Sequence, residues 1–178
     1  MNSFITTYTK KHIDPLNPNP NDIDIIDIAH ALSFMTRANG HFPQFYSVCQ
    51  HSVACCEEAL LRDLSKREAL LCLLHDASEA YIADIIRPVK QHIAKYYEIE
   101  EKLQNTIYLT FTGSLPDKGE CEIIREIDDS MLYHEFMHFT GEKLYDTEPT
   151  ICSSPNFDFV PFEEAEKKFL ALFKILKP

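Results

Sequence analysis

Residues 70–80 read LLCLLHDASEA, an apolar run that ends in a histidine and an aspartate, with a glutamate one turn further on. Ser65 and Glu68 precede the run with the spacing of a helix N-terminal capping box. A helix that is apolar almost all round is expected to be buried, and a buried charge is costly unless it is paired or bound to a metal. The pattern therefore allows two interpretations: a divalent metal bound by His75, Asp76 and the glutamate, or a core histidine hydrogen-bonded to its own aspartate.

The composition is that of a globular protein with a sizeable core. The chain has 178 residues, of which 45% are apolar and 25% charged, and no segment is low in complexity. This length suits one domain better than two, so we expect residues 1–178 to form a single domain. No apolar run approaches the length of a membrane span, and the N-terminus lacks a signal-sequence pattern, so we expect no membrane association.

Charge and cysteine usage narrow the functional classes. The formal net charge is −11, which argues against binding a nucleic-acid polymer, because such proteins usually present a basic face. A small anionic substrate remains compatible, since a few local cations or a bound metal can dominate one pocket. The six cysteines have no disulfide-framework spacing, so we expect reduced thiols and a cytoplasmic protein.

Hydrophobic periodicity predicts an all-α domain of about five or six helices. Besides the helix that contains residues 70–80, helices are expected at about residues 24–38, 47–64, 89–111, 117–140 and from 161 onward. Pro88 interrupts the helical pattern just before the helix expected at 89–111. Two segments are expected to be irregular: an N-terminal arm at residues 1–22, with a short strand at 4–8, and a loop-rich excursion at 142–160.

Two further polar side chains are predicted on apolar helix faces. His51 lies at the edge of such a face, where a histidine is more often a hydrogen-bonded core residue than a metal ligand. The ligand interpretation is favoured only if His51 points at His75. Asp128 falls among isoleucines, whereas Asp129 is expected about 100° away, toward solvent. A carboxylate placed among isoleucines is best explained by a metal or a buried base.

Loops near these helix ends carry cations and other polar groups. Arg37, Asn39 and His41 cluster after the first helix, either as exposed loop residues or as pocket residues. Arg87 and Lys90 come after the histidine–aspartate pair, where two cations beside a metal would suit a phosphate. Two cations are also ordinary in a surface loop.

The order of these residues resembles the HD-domain superfamily of metal-dependent phosphohydrolases, whose pattern is H…HD…D on the helices of an α-bundle. Within it, the chain is similar to the 5′-deoxynucleotidase-like branch. The likeness covers about residues 4–140. It rests on YSVCQHSV at 46–53, HDASEAYIAD at 75–84, PVK at 88–90, and Ile127-Asp128 followed by Leu132 and Glu135.

The resemblance implies an HD-type helical bundle with a divalent transition metal, which is Mn, Co, Fe, Ni or Zn. The implied metal ligands are His51, His75, Asp76 and Asp128. The acid–base residues would be Glu79 and Asp84. The substrate contacts would be Arg37, Asn39, His41 and Lys90, with Phe45 or Tyr46 offering a face to a base.

The implied activity is hydrolysis of the phosphate of (deoxy)nucleoside monophosphates by a metal-activated water. A dNTP triphosphohydrolase stays open, because phosphate number depends on the cations and the space at the pocket mouth. A non-catalytic nucleotide-binding regulatory protein is the other alternative, although a site without catalytic activity would not need the four ligands and Glu79. Homo-oligomers are common in the superfamily, so the resemblance also implies self-association.

Overall fold

The structure is a computed structural model and describes residues 4–178. These residues form an all-α single domain, as predicted, with one small hairpin of strands β1 (Ile5–Thr6) and β2 (His12–Ile13). The helices are α1 (Ile25–Phe34), α2 (Val48–Leu61), α3 (Lys66–Leu74), α4 (Glu79–Ile82), α5 (Arg87–Lys90), α6 (Ala94–Thr112), α7 (Lys118–Thr140) and α8 (Phe162–Leu176). Among residues 4–178, six of these helices are nine residues or longer, which agrees with the predicted number.

The N-terminal arm folds back against α1. β1 and β2 pair antiparallel, so the predicted strand is present in a shorter form. Asp27, in the first turn of α1, accepts hydrogen bonds from the backbone N–H and the hydroxyl of Thr9 at 2.6 and 2.9 Å. These bonds fix the hairpin to the start of α1. Residues 1–3 of the predicted arm lie outside the described residues.

The first predicted helix ends four residues earlier than expected. α1 stops at Phe34, after which Thr36 pairs with Ser47 as an isolated antiparallel bridge. The backbone of residues 38–39 is left-handed, with φ of 50° at both positions. The prediction of helix to residue 38 was therefore wrong, because this segment becomes extended to pair with the start of α2. The result is a tight turn that buries Arg37.

The two central helices begin at capping boxes and carry the core. Ser47 and Gln50 satisfy each other's backbone N–H groups at the start of α2, and Ser65 and Glu68 do so at the start of α3, as predicted. All of residues 69–74 are buried. α3 packs against α2, α6, α7 and α8, which explains why its sequence is apolar almost all round.

α3 ends immediately before the histidine–aspartate pair. Residues 70–80 were predicted as one helix, but residues 75–78 form a tight turn that separates α3 from α4. The turn is closed by hydrogen bonds from Ala77 N–H to the Leu74 carbonyl and from Glu79 N–H to the Asp76 carbonyl, at 3.0 and 3.1 Å. The side chains of the pair therefore leave the α3 core and turn toward α2 and α7.

The remaining helices follow the prediction except at one break. The segment predicted as one helix at 89–111 is divided into α5 and α6 by residues 91–93, and Ile93 has a non-helical φ of −118° and ψ of 75°. α6 and α7 end at Gly113 and Gly141, whose left-handed φ of 76° and 74° glycine adopts without strain. Residues 141–161, all described, contain neither helix nor strand, in agreement with the predicted excursion.

Two broader expectations concern the membrane and the thiols. Among the described residues, no helix combines the length and apolar character needed to cross a membrane. All six cysteines are free, and four of them are buried.

Candidate metal centre

Four of the predicted ligand side chains converge where α2, the turn after α3, and α7 meet. His51 Nε2 lies 3.2 Å from His75 Nε2 and 3.1 Å from Asp128 Oδ1. Asp76 Oδ2 lies 3.8 Å from His51 Nε2 and 3.3 Å from His75 Nε2. The separation between His75 Nε2 and Asp128 Oδ1 is 3.8 Å. Residues 77 positions apart in the chain are thus brought into one cluster.

The outer hydrogen bond of each imidazole decides which nitrogen carries the proton. His75 Nδ1 lies 2.7 Å from the carbonyl oxygen of Cys72, which can only accept, so Nδ1 is the protonated atom. His51 Nδ1 lies 2.5 Å from Glu135 Oε1, and an ionised carboxylate also only accepts. In each neutral ring Nε2 is then a bare acceptor. With both rings neutral, two nitrogen lone pairs and two carboxylate oxygens therefore face one another, which calls for either a proton or a metal ion among them.

The spacing and the chemistry of these atoms fit a divalent transition metal. Donor atoms about 2.1 Å from a common ion lie roughly 3.0–3.5 Å from one another, and the five separations above are between 3.1 and 3.8 Å. Cys55, one turn after His51, adds a thiol whose Sγ lies 3.5 Å from His51 Nε2. The described residues thus include a cluster of His51, Cys55 and His75 that could hold a metal ion.

The electrostatics of the centre show the same need for positive charge. Burial lowers the pKa of His75, but Asp76 and Asp128 outweigh burial and raise that pKa well above its ordinary value. Burial also lowers the pKa of His51, whereas Glu135 and Asp128 raise it by more. Although burial raises the pKa of both aspartates, the imidazoles lower it well below the usual range. Either protons or a metal ion must therefore balance the two carboxylates.

Glu135 and Arg37 support the centre from the protein interior. Glu135 is 1% exposed, and its Oε2 accepts hydrogen bonds from Arg37 Nε and Nη2 at 3.4 and 3.3 Å. Arg37 Nη1 also donates to Asp76 Oδ2 at 3.4 Å. Burial raises the pKa of Glu135, but His51 and Arg37 lower it by more, so it stays ionised. A carboxylate that orients an imidazole in this way is the usual outer partner of a metal-binding histidine.

The centre opens into a cavity of about 590 Å³, a size that suits a small-molecule ligand. α7 runs along this cavity, because Asp128, Leu132, Phe136 and Thr140 recur every four residues and all line it. At 1.5 Å of rise per residue, Phe136 lies roughly 12 Å along the helix from Asp128. The cavity therefore has a charged end at the candidate ligands and an apolar wall further along α7.

Both predicted acid–base residues line the cavity. Glu79 is 5% exposed, and its Oε2 has no hydrogen-bond partner within residues 4–178. Burial raises the pKa of Glu79 well above its ordinary value, and the carboxylates of Asp76 and Asp84 raise it further. Burial is also the main cause of the raised pKa of Asp84. Glu79 thus differs from Asp76, three residues earlier, in favouring the protonated state.

The predicted substrate contacts divide into two groups. Arg37, His41 and Lys90 line the cavity, and Lys90 is ion-paired with Glu100 on α6. Asn39 is exposed on the left-handed turn and is absent from the cavity lining.

The aromatic face comes from a different residue than predicted. Tyr46 is 1% exposed in the core, and Phe45 packs edge-on against Phe162 at 5.1 Å between ring centroids, so neither reaches the cavity. Phe42 lines the cavity instead and makes an edge contact with Phe136 at 5.3 Å. The prediction chose the wrong aromatics in this segment because nothing in it showed which ring would turn inward.

Two contacts around the centre were not predicted. Asp129 was expected to point to solvent and is more exposed than Asp128, at 34% against 19%, but its Oδ1 also accepts a hydrogen bond from Arg87 Nη1 at 2.6 Å. The partnership of Glu135 with His51 was not predicted either. Its signal was the seven-residue spacing that places Glu135 and Asp128 on one face of α7.

Comparisons with known proteins identify relatives without a stated activity. No protein-family model matches the chain. It is 41% identical over 105 residues to the uncharacterized protein YfdR of Escherichia coli strain K12, covering 59% of this chain and 56% of that one. It is also 41% identical over 107 residues to an uncharacterized protein of Rhodobacter capsulatus, covering 57% of this chain and 54% of that one. The match spans about half the length of each curated relative.

Proposed function

We propose that the protein is an HD-domain metal-dependent phosphohydrolase that removes the phosphate from (deoxy)nucleoside monophosphates. One observation carries this proposal: four potential ligand atoms, from His51, His75, Asp76 and Asp128, converge within 3.1–3.8 Å of one another beside a cavity. Such a mixed nitrogen–oxygen set, with room for water beside it, is typical of a catalytic metal site.

The roles of the surrounding residues follow from their geometry. A divalent transition metal at this centre would supply a water of lowered pKa and a Lewis acid for a phosphate oxygen. Arg37, which is held at 3.3–3.4 Å by Glu135 and Asp76, is placed to donate to phosphoryl oxygens as charge develops on them. Glu79 is placed to give a proton to the leaving alcohol, because it lines the cavity and its burial beside Asp76 and Asp84 raises its pKa.

The shape of the cavity supports a nucleotide as the substrate. Its charged end suits a phosphate, and the apolar wall formed by Phe42, Leu132 and Phe136 suits the face of a base. A sugar phosphate without a base would leave that wall exposed to water. The separation of about 12 Å between the two ends is comparable with the length of a nucleoside monophosphate.

The cations at the cavity mouth favour a monophosphate over a triphosphate. Arg87 and Lys90 both line the cavity, but Arg87 is bonded to Asp128 and Asp129, and Lys90 is paired with Glu100. The positive charge of both cations is therefore already balanced within the chain, which leaves little net charge to attract a β- or γ-phosphate.

The test is phosphate release from a panel of nucleoside mono- and triphosphates. The protein is stripped of metal and then supplied separately with Mn²⁺, Co²⁺, Ni²⁺ and Zn²⁺. We expect orthophosphate from monophosphates with at least one metal, and no turnover by Asp76→Ala, which loses a ligand. Release of intact triphosphate from dNTPs would instead establish the triphosphohydrolase. Metal binding without turnover of any nucleotide would favour a regulatory protein, and absence of metal binding would overturn the proposal.

A further inference from the structure

Arg87 connects the candidate centre to a residue outside it. This arginine lies at the start of α5, and its guanidinium spans two neighbouring carboxylates on α7. Its Nη2 lies 2.6 Å from Asp128 Oδ2 and its Nη1 lies 2.6 Å from Asp129 Oδ1. Both contacts are short, charge-assisted hydrogen bonds, and a planar guanidinium can make them simultaneously in one orientation only.

The two oxygens of Asp128 therefore have different partners. Oδ1 faces His51 Nε2 at 3.1 Å, whereas Oδ2 accepts the bond from Arg87. A free aspartate can rotate its carboxylate broadly about its terminal torsion. With Oδ2 held by Arg87, that rotation is restricted and Oδ1 stays directed at the imidazoles.

Asp129 holds Arg87 in the orientation in which it bonds to Oδ2 of Asp128. Adjacent carboxylates on one helix repel each other, so an unbridged Asp128 would tend to turn away from its neighbour. The arginine side chain is 57% exposed and has a long flexible stem. A single exposed ion pair would contribute little, but attachment to two carboxylates removes most of the freedom of the guanidinium.

Arg87 and Asp128 also line a second cavity. Both residues are part of the lining of the main cavity and of a second cavity of about 580 Å³. Because Oδ2 of Asp128 is bonded to Arg87, this oxygen is held by the protein rather than left to water in either cavity.

We propose that Arg87 and Asp129 form a positioning pair that fixes Asp128 for metal binding. This inference rests on the proposed function, because it assigns the pair to the metal centre described above. Neither residue contacts the metal or the substrate in this role. Supporting residues of this kind typically change metal affinity by about 10- to 100-fold when they are lost.

Positioning and simple electrostatics predict opposite changes in metal affinity when Arg87 is removed. Arg87→Gln removes a positive charge beside a cation site, so unscreened charge repulsion alone predicts tighter metal binding. Positioning predicts weaker binding. We expect Arg87→Gln to weaken the binding of Mn²⁺ to the metal-stripped full-length chain about 10-fold or more. Asp129→Asn should weaken it several-fold. The affinity of Arg87→Lys should fall between those of wild type and Arg87→Gln. Isothermal titration calorimetry measures these affinities.

Arg125 offers a matched control, since it lies on α7 three residues before Asp128 and lines the same second cavity. Within residues 4–178 no hydrogen bond or ion pair holds its side chain. Arg125→Gln removes the same charge and should keep the wild-type affinity within about twofold. Circular dichroism melts verify that each variant is folded.

The outcomes distinguish this inference from the proposed function. If wild type binds Mn²⁺ and Arg87→Gln binds it equally or more tightly, the positioning pair is overturned while the metal centre stands. If wild type binds no divalent metal, both are overturned. Equal weakening by Arg87→Gln and Arg125→Gln would indicate an effect that does not depend on the bridge to Asp128, and it would also overturn the positioning pair.

Discussion

At the scale of single residues, the centre places carboxyl groups with opposite protonation preferences side by side. Asp76 is kept ionised by His75, whereas Glu79, three residues later, has its pKa raised by burial and by the carboxylates around it. Two such groups in one cavity are the usual sign of a division between charge-stabilising and proton-transferring roles. Glu79 is also buried with one oxygen lacking a protein partner in the described chain, which a purely structural glutamate has no reason to retain.

Glu79→Gln therefore separates a chemical role from a structural one. The amide has the same shape but cannot transfer a proton, so we expect kcat on the best nucleotide substrate to fall by about 10²- to 10⁴-fold. Metal affinity should change less than about twofold. Steady-state kinetics and calorimetry measure the two quantities, with Glu122→Gln on the exposed face of α7 as the control. Unchanged kcat would remove Glu79 from the mechanism.

At the scale of secondary-structure elements, a buried glutamate attaches the excursion after α7 to α2. Glu58, fully buried on α2, accepts hydrogen bonds from the backbone N–H groups of Cys152 and Ser153 at 2.8–3.0 Å. Arg62 Nε, one turn later on α2, donates to the same carboxylate at 2.7 Å. This carboxylate thus holds an otherwise irregular segment against the helix that carries His51.

We expect Glu58→Gln to lower the free energy of unfolding by about 2 kcal/mol, because an amide replaces a charged acceptor of several hydrogen bonds. Urea unfolding at pH 7 measures this loss. The matched control is the neighbouring Glu57→Gln, which removes only a surface ion pair with Lys168 and should cost less than about 1 kcal/mol. Equal losses in the two variants would contradict the anchoring role of Glu58.

The contribution of Glu58 also has a defined pH dependence. Burial raises the pKa of Glu58, but the hydrogen bonds from Ser153, Cys152 and Arg62 lower it by more, so the folded-state pKa is below its ordinary value. Its stabilisation is therefore fully present above the unfolded pKa of about 4.3 and is lost as pH falls through the folded-state pKa. The difference between wild type and Glu58→Gln should be constant from pH 7 to about pH 5.5 and shrink below about pH 4.

At the scale of the whole molecule, the proposed metal centre cross-links parts of the chain that are distant in sequence. His51 comes from α2, His75 and Asp76 follow α3, and Asp128 lies on α7. An ion bound there would contact the folded state only, since the unfolded chain does not bring these four side chains together.

Added metal should therefore raise the unfolding temperature. At a free Mn²⁺ concentration 100 times its Kd the stabilisation is about 2.7 kcal/mol, which corresponds to roughly 5–10 °C for a chain of this size. Asp128→Asn should abolish the shift, whereas His92→Gln, an exposed histidine between α5 and α6, should keep it. Thermal unfolding followed by circular dichroism, with and without EDTA, measures the shift. The same shift in Asp128→Asn would place the bound ion elsewhere.

Local patterns in the chain are sufficient for the existence of the main helices, and together with the resemblance of the ordered H…HD…D set they select the four candidate ligands. Capping boxes such as Ser65 with Glu68, stop signals such as Gly113 and Gly141, and apolar periodicity all act within a few residues, so they can be recognised without knowing the fold. A histidine or an aspartate among apolar residues can be recognised in the sequence in the same way. The free-energy cost of burying such a side chain does not depend on which helix lies opposite.

Packing between helices decided the features that local patterns could not. The early end of α1 depends on pairing of Thr36 with Ser47, and the choice of Phe42 as the cavity aromatic depends on how the following turn meets α7. The partnerships of Glu135 with His51 and of Arg87 with Asp129 join residues 84 and 42 positions apart. Such contacts are set by the relative placement of whole helices, a global property of the folded chain that the spacing of residues within any one helix does not encode.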